Sequence, residues 1–206
     1  MKTPSRYKVC RRVGDGVFVQ CQTQKFHLRS SRKGGVRAKG FRRPRTDYGN
    51  QLIEKQKVRY SYNISERQLS NYVKKADSAS GHAPGKLLYT YLESRLDNII
   101  FRAGLAASRQ QARQMVSHGH IYINGKKLNI PSYQVVPGAV ITVKPKSKES
   151  ALFREAEERQ KTLQVPSWIS RGENGAVTVL SLPVHGDLKE GYELDFSTVI
   201  EFYNRV

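Results

Sequence analysis

The chain has 206 residues, with 36 Lys or Arg against 17 Asp or Glu, a formal charge of +19. So large an excess goes beyond what solubility requires and points to a polyanionic partner. At 38% hydrophobic residues the chain can bury a core, which argues against wholesale disorder. Its length suits one or two domains.

No run approaches the roughly 18 apolar residues of a membrane span. The stretch Met1-Lys2-Thr3-Pro4-Ser5-Arg6-Tyr7-Lys8 has basic residues with no apolar segment behind them, so no secretory signal is expected. Two cysteines, Cys10 and Cys21, exclude a disulfide scaffold and suggest unpaired thiols in a reducing compartment.

The charge is uneven. Residues 1–60 carry a net +14, residues 61–148 a net +9 and residues 149–206 a net −4. The polyanion is therefore expected on the first three quarters of the chain, with the acidic segment as scaffold or protein-contact surface. The densest basic stretch, 30–45, is Gly-rich and nearly free of large apolar residues. It lacks the broad apolar face of a membrane-surface helix. It suits ordering along a phosphate backbone, where each Lys or Arg releases counterions.

In chain order, residues 1–46 read as a basic arm with little regular structure beyond an apolar patch at Val17-Phe18-Val19. Asp47 is placed to cap a helix running to about Tyr60. Ser65-Glu66-Arg67-Gln68 fits a capping box, and Leu69, Tyr72, Val73 and Ala76 follow at helical spacing. After a loop at 78–85, one long helix is expected from Lys86 to Ala103, buried along Leu88, Leu92, Leu96 and Ile99 and stopped at Gly104. Ser108-Arg109-Gln110-Gln111 is a second capping box. Its helix ends near His118 with Gly119 as the stop, burying Ala112, Met115 and Val116.

Asn124-Gly125 is a strong hairpin signal between strands Ile121-Tyr122-Ile123 and Leu128-Asn129-Ile130. Val140-Ile141-Thr142-Val143 reads as a third strand. A charged helix from Ser147 to Leu163 is supported by Glu155 with Arg159 and Glu157 with Lys161. Two more strands flank Asn174-Gly175. Residues 196–203 are apolar, with no choice between helix and strand. Trp168 reads as core.

The informative unit is 95–144, two helices followed by a hairpin and a third strand. Arg109, Arg113, His118, Lys126 and Lys127, joined by Arg102, are expected to form one cationic surface. Such a surface on a stiff α–β unit suits folded RNA, which is read largely through backbone, 2′-hydroxyl and groove shape.

Here Arg95-Leu96-Asp97-Asn98, Arg102-Ala103-Gly104, Ser108 to Gln114, His118-Gly119-His120-Ile121, Asn124-Gly125 and Ile130-Pro131-Ser132-Tyr133 resemble the RNA-binding module named for small-subunit ribosomal protein four. That module also occurs in pseudouridine synthases, a tyrosyl-tRNA synthetase and a small heat-shock RNA binder. The flanks, Asp47 to Arg59, Glu66-Arg67-Gln68 with Tyr72, and Val199 to Arg205, resemble the bacterial-type ribosomal protein itself.

The resemblance implies an α+β fold. A basic arm spans 1–46, a helical domain 47–94 is completed by 185–206, and the α–β module with extra strands spans 95–184. It implies a non-enzymatic structural constituent of the small subunit, in the cytoplasm or an organelle. Its roles there are primary binding to 16S-type rRNA and nucleation of the 30S body. Small-subunit ribosomal protein five is the implied partner for decoding accuracy, along with other 30S proteins beside the channel where mRNA enters. No membrane, small-molecule substrate or cofactor is implied. The residues expected at rRNA are Arg11, Arg12, Arg42, Arg43, Arg45, Tyr48, Lys55, Lys57, Arg59, Arg67, Arg102, Arg109, Arg113, His118 and Lys126, which neutralise charge and fix register rather than read bases.

Some family members hold zinc with four arm cysteines. Here Cys10, Cys21 and nearby His27 fall short of four ligands, so no metal is expected. The arm around Lys33-Gly34-Gly35 also lacks the family's Pro-Gly-x-His-Gly run. Arg95-Leu96-Asp97 matches a tripeptide whose Asp is the nucleophile of pseudouridine synthases. Its helical setting favours instead Arg95 on phosphate or on Asp97, with Asp97 in a local polar contact. An RNA-modifying enzyme or a free RNA chaperone with the same module are the rival readings.

Overall fold

The computed structural model describes residues 5–18, 21–28, 46–148, 150–172, 175–184, 186 and 194–205. Its elements in chain order are α1 (Arg6–Val13), a 3₁₀ turn (Asp15–Val17), α2 (Asp47–Ser61), α3 (Glu66–Asp77), α4 (Pro84–Glu93), α5 (Leu96–Arg102) and α6 (Arg109–Ser117). Strands β1 (Ile121–Ile123), β2 (Lys126–Lys127) and β3 (Val140–Val143) follow. Then come α7 (Pro145–Lys148), α8 (Ala151–Thr162), β4 (Ile169–Arg171), β5 (Val177–Val179) and α9 (Phe196–Asn204). The fold is α+β. The chain forms two compact units, 1–85 with 189–206, and 86–188.

In the first unit α1 stands where an arm without regular structure was expected. Val9, Cys10 and Val13 fall on one helical face and are buried. Val9, Val13 and Val17 form a small apolar cluster with Phe18 and Tyr60 packed against it. The two cysteines are not unpaired thiols. Gly14, at φ 120°, and the 3₁₀ turn bring the chain back, and Cys10 and Cys21 form a disulfide with Cα atoms 6.5 Å apart. This return depends on tertiary packing, which cysteine spacing does not encode. With the sulfurs joined to each other, the pair does not fit a zinc site, which takes thiolates.

Helix α2 is capped by Thr46 rather than Asp47. The Thr46 hydroxyl accepts from the Gly49 N–H at 3.3 Å, and Asp47 sits in the first turn, where its charge favours the helix dipole. Ser65 and Gln68 form the full capping box of α3, with Leu69, Val73 and Ala76 buried. The undecided chain end is helix α9. Asp195 caps it by accepting from the Thr198 N–H at 3.0 Å, and Phe196, Val199, Ile200 and Phe202 are buried as α9 packs on α2 and α3.

In the second unit, the single helix expected over 86–103 is two. The break at Ser94-Arg95 is imposed by tertiary hydrogen bonds. The Val135 N–H donates to the Ser94 carbonyl at 2.9 Å, the Leu96 N–H to Tyr133 at 2.9 Å and the Asp97 N–H to Pro131 at 3.1 Å. Arg95 is extended (φ −66°, ψ 139°) and bridges Gln134. Local periodicity runs unbroken across this point, so only the returning strand-like segment reveals it. Gly104, at φ 80°, ends α5 as expected. Ser108 caps α6 through the Gln111 N–H at 3.2 Å. The reciprocal half of the capping box is displaced, because Gln111 accepts from the Ala107 N–H at 2.6 Å instead.

The sheet has order β2-β1-β3-β5-β4, antiparallel throughout. Asn124 (φ 49°) and Gly125 (φ 79°) both take left-handed backbone, the two-residue turn that matches strand twist. Ile123 therefore pairs with Lys126, and Tyr122 with Lys127. The second hairpin strand is Lys126–Lys127, not Leu128 to Ile130. The helix expected over 147–163 is interrupted between α7 and α8. Arg159 pairs with Glu155 at 4.0 Å, while the side chains of Glu157 and Lys161 lie outside the described residues. Asn174 also lies outside them.

The core of this unit joins α5 and α6 (Leu96, Ile99, Ala112, Val116) to the sheet's inner face (Ile121, Ile141, Val177), with Phe153 of α8 and Trp168.

Candidate nucleic-acid interface

The sequence-predicted cations fall into two groups, those bound inside each unit and those on its surface. In the second unit the inner group is centred on Glu93, whose side chain has no exposure. Because the helix breaks at 94–95, this carboxylate at the end of α4 turns toward α5. It accepts from Asn98 Nδ2 at 2.7 Å, Arg102 Nε at 2.9 Å and Arg102 Nη2 at 2.6 Å. Arg109 Nε donates to Asn98 Oδ1 at 2.7 Å, and its Nη2 lies 3.9 Å from Glu93. The Arg109 guanidinium also sits 4.6 Å from the Phe101 ring centroid, a cation–π distance.

Arg102 and Arg109 are thus committed to an internal network and do not form the open cationic surface expected of them. Sequence reading missed Glu93, Asn98 and Phe101 as its members. The available signal was Glu93, the one acid of α4, directly after the apolar run that ends at Leu92. Next to it, Arg95 donates to Asp97 from Nε at 2.9 Å and from Nη2 at 2.6 Å, with both side chains buried. Of the two partners expected for Arg95, phosphate and Asp97, the structure places Asp97 against it. This contact leaves Asp97 engaged by a guanidinium rather than poised as a nucleophile.

The first unit repeats this arrangement. Lys55, expected at phosphate, is buried instead. Its Nζ donates to Glu66 at 2.8 Å and lies 4.4 Å from the Phe202 ring centroid. Arg59 Nη1 is 3.6 Å from Glu66 and 3.2 Å from Gln56 Oε1. The Tyr203 hydroxyl donates to Glu66 at 2.7 Å. Lys57 is paired with Glu54 on its own helix.

Glu66 therefore sits below the usual carboxylate range. Burial pushes it up, but hydrogen bonds from Lys55 and Tyr203 and the charges of Lys55 and Arg59 outweigh that. Burial, with the Glu66 carboxylate beside it, pushes the Tyr203 hydroxyl up. A depressed carboxylate stabilises the fold above its unfolded pKa, about 4.3, and loses that contribution as pH falls through the lower folded value. Glu66→Gln is accordingly expected to flatten the fall in melting temperature below about pH 4.3, read by circular dichroism across a pH series.

On the surface, Arg11 and Arg12 are exposed on α1, Arg67 on α3, His118 at the end of α6 and Lys126 on β2. Arg113 is half-buried on α6. Lys127, exposed beside Lys126, joins them. Its stem runs over Gly119 (φ 71°), where a Cβ would collide with it. The glycine at this helix end thus seats a lysine between α6 and the hairpin. Tyr48 is half-exposed, but its ring packs on Phe202 at 5.5 Å. Arg42, Arg43 and Arg45 lie outside the described residues. His27 is exposed, its ring edge-on to Phe26. No helix among the described residues is long and apolar enough to cross a membrane.

Residues 2–93 match the Ribosomal protein S4/S9 N-terminal domain, and residues 94–141 match the S4 domain. "Small ribosomal subunit protein uS4" of Halothermothrix orenii is 40% identical, covering 98% of this chain and 100% of its own length. The protein of that name from Cutibacterium acnes is 44% identical over 83% of this chain and 84% of its own. That of Chlorobium phaeovibrioides is 39% identical over 96% of each. These are names of a ribosomal protein, not of an enzyme. Domain matches over residues 2–93 and 94–141, with near-full-length identity around 40%, place the chain in the bacterial-type small ribosomal subunit protein uS4 family.

Proposed function

We propose that this chain is a primary binder of 16S-type rRNA, a structural constituent of the small subunit that nucleates assembly of the 30S body. In this reading it also meets small-subunit ribosomal protein five, through which it bears on decoding accuracy. Other 30S proteins beside the channel where mRNA enters are its remaining neighbours, in the cytoplasm or an organelle.

One observation supports this most. The internal networks of Glu93 with Arg102 and Arg109, and of Glu66 with Lys55 and Arg59, absorb a net charge of only +1 each, so most of the +19 excess is left outside them. The surplus is left to surface cations such as Arg11, Arg12, Arg67 and Lys126, and to the basic stretch 30–45. These contacts set position on a folded RNA, with shape supplying the preference.

The test is binding of the full chain to the 5′ domain of small-subunit rRNA and to a scrambled RNA of equal length, across a salt series. A preference for the rRNA that survives high salt is expected. Equal binding to both RNAs, lost together as salt rises, overturns the reading.

A further inference from the structure

Helices α1 and α2 enclose a groove of about 710 Å³. Lys8, Arg11, Arg12 and Arg59 line it beside Leu52 and Tyr60, with no acidic side chain among the described residues that line it. Three of these cations belong to α1, a helix of eight residues. That length does not hold a helix in water without tertiary support. Among the described residues its support is the valine cluster around Val9, Val13 and Val17, the Tyr7–Phe26 ring stack, the Arg6–Phe18 contact and the Cys10–Cys21 disulfide. Cys10 lies in the last turns of α1, so the bond ties the helix itself to the chain that returns beneath it. Both cysteines are buried, at 3% and 0% exposure. A thiolate therefore reaches the sulfurs only after α1 lifts.

We propose that the Cys10–Cys21 disulfide is a redox catch on an RNA-backbone groove. Closed, it holds Lys8, Arg11 and Arg12 against α2. Reduction by a dithiol frees α1 and takes three of the four cations out of the groove. The proposal rests on the rRNA reading above and adds a control on it. In the step, one thiolate of the dithiol attacks a cysteine sulfur, the Sγ–Sγ bond breaks and a mixed disulfide forms. The second thiol then displaces the first cysteine. Two electrons pass to the protein, both cysteines end as thiols carrying the protons of the reductant, and the dithiol leaves as its own disulfide. Linkage is reciprocal, so RNA seated in the groove favours the oxidised pair, and by holding α1 down over the buried sulfurs it also slows the thiolate's approach.

The experiment compares the full oxidised chain, the same chain reduced with dithiothreitol, and the Cys10→Ala, Cys21→Ala double variant. Affinity for the rRNA 5′ domain is read across a salt series, and hydrogen exchange is read at the amides of residues 9–13. The reduced chain is expected to bind about tenfold more weakly with a salt slope lower by about 1–2 units, as two or more phosphate contacts are lost. Its α1 amides exchange faster, the double variant behaves as the reduced chain with or without dithiol, and rRNA slows loss of the disulfide. Equal affinity and slope in both redox states, in a chain that binds the rRNA, overturn the proposal. So does α1 exchange indifferent to reduction. A chain that binds the rRNA in neither state overturns the rRNA reading and the binding half of the proposal, and exchange at α1 then decides whether the catch exists.

Discussion

Replacing Glu93 with alanine is expected to lower unfolding free energy by about 3–5 kcal/mol in urea titration, the range for breaking a buried pair by removing one partner. The substitution strips the acceptor from Arg102, whose side chain is 9% exposed, and from Asn98, and removes the charge that faces Arg109. What is left is two guanidinium groups in an interior that no longer balances them. The comparison that isolates the cause is Glu93→Met together with Arg102→Met. Removing both charges at similar volume recovers much of the loss, because an apolar replacement of a buried pair is frequently near neutral. If the double variant is as unstable as the single one, the cause is packing rather than the stranded charge.

Reversing Lys126 and Lys127 to Glu is expected to weaken rRNA binding by about tenfold to a hundredfold and to flatten the salt slope by about 1–2 units. Both residues are exposed on β2, so thermal stability should change little. Arg109→Ala supplies the contrast. It is expected to lose stability first, since Arg109 is bonded to Asn98 and lies over Phe101. An unchanged slope in the Lys126, Lys127 variant removes the hairpin from the RNA-facing surface.

The contrast between Lys126 and Arg109 also marks how far the sequence could be read. Asn124-Gly125, the capping box at Ser65 and the stop at Gly104 are legible because a few neighbouring residues determine them, and all three stand as expected. The break at Arg95 was not legible. Leu88, Leu92, Leu96 and Ile99 continue one apolar stripe across it, and the forces that break the helix come from 131–135, some forty residues away in sequence. Helix α1 and the Cys10–Cys21 bond were hidden for the same reason, since each depends on a chain return.

For the site, a positive residue announces its charge but not its partner. Lys55 and Lys126 are indistinguishable by type, and only the approach of Glu66 and Phe202 takes Lys55 out of the surface. The enzyme reading of Arg95-Leu96-Asp97 fails on geometry that three letters do not contain, the bidentate Arg95–Asp97 contact.

The strand order leaves β2 at one open end of the sheet. Open ends of sheets invite pairing with another chain. A two-residue strand made only of lysines is a poor template for that, being too short to register and mutually repulsive between copies. The hairpin tip that suits a phosphate backbone therefore also protects the free protein. Before any polyanion arrives, like charge keeps two copies from joining edge to edge. On the proposed rRNA reading, RNA that neutralised those lysines would also cover the edge, and the free chain would rely on like charge to stay dispersed.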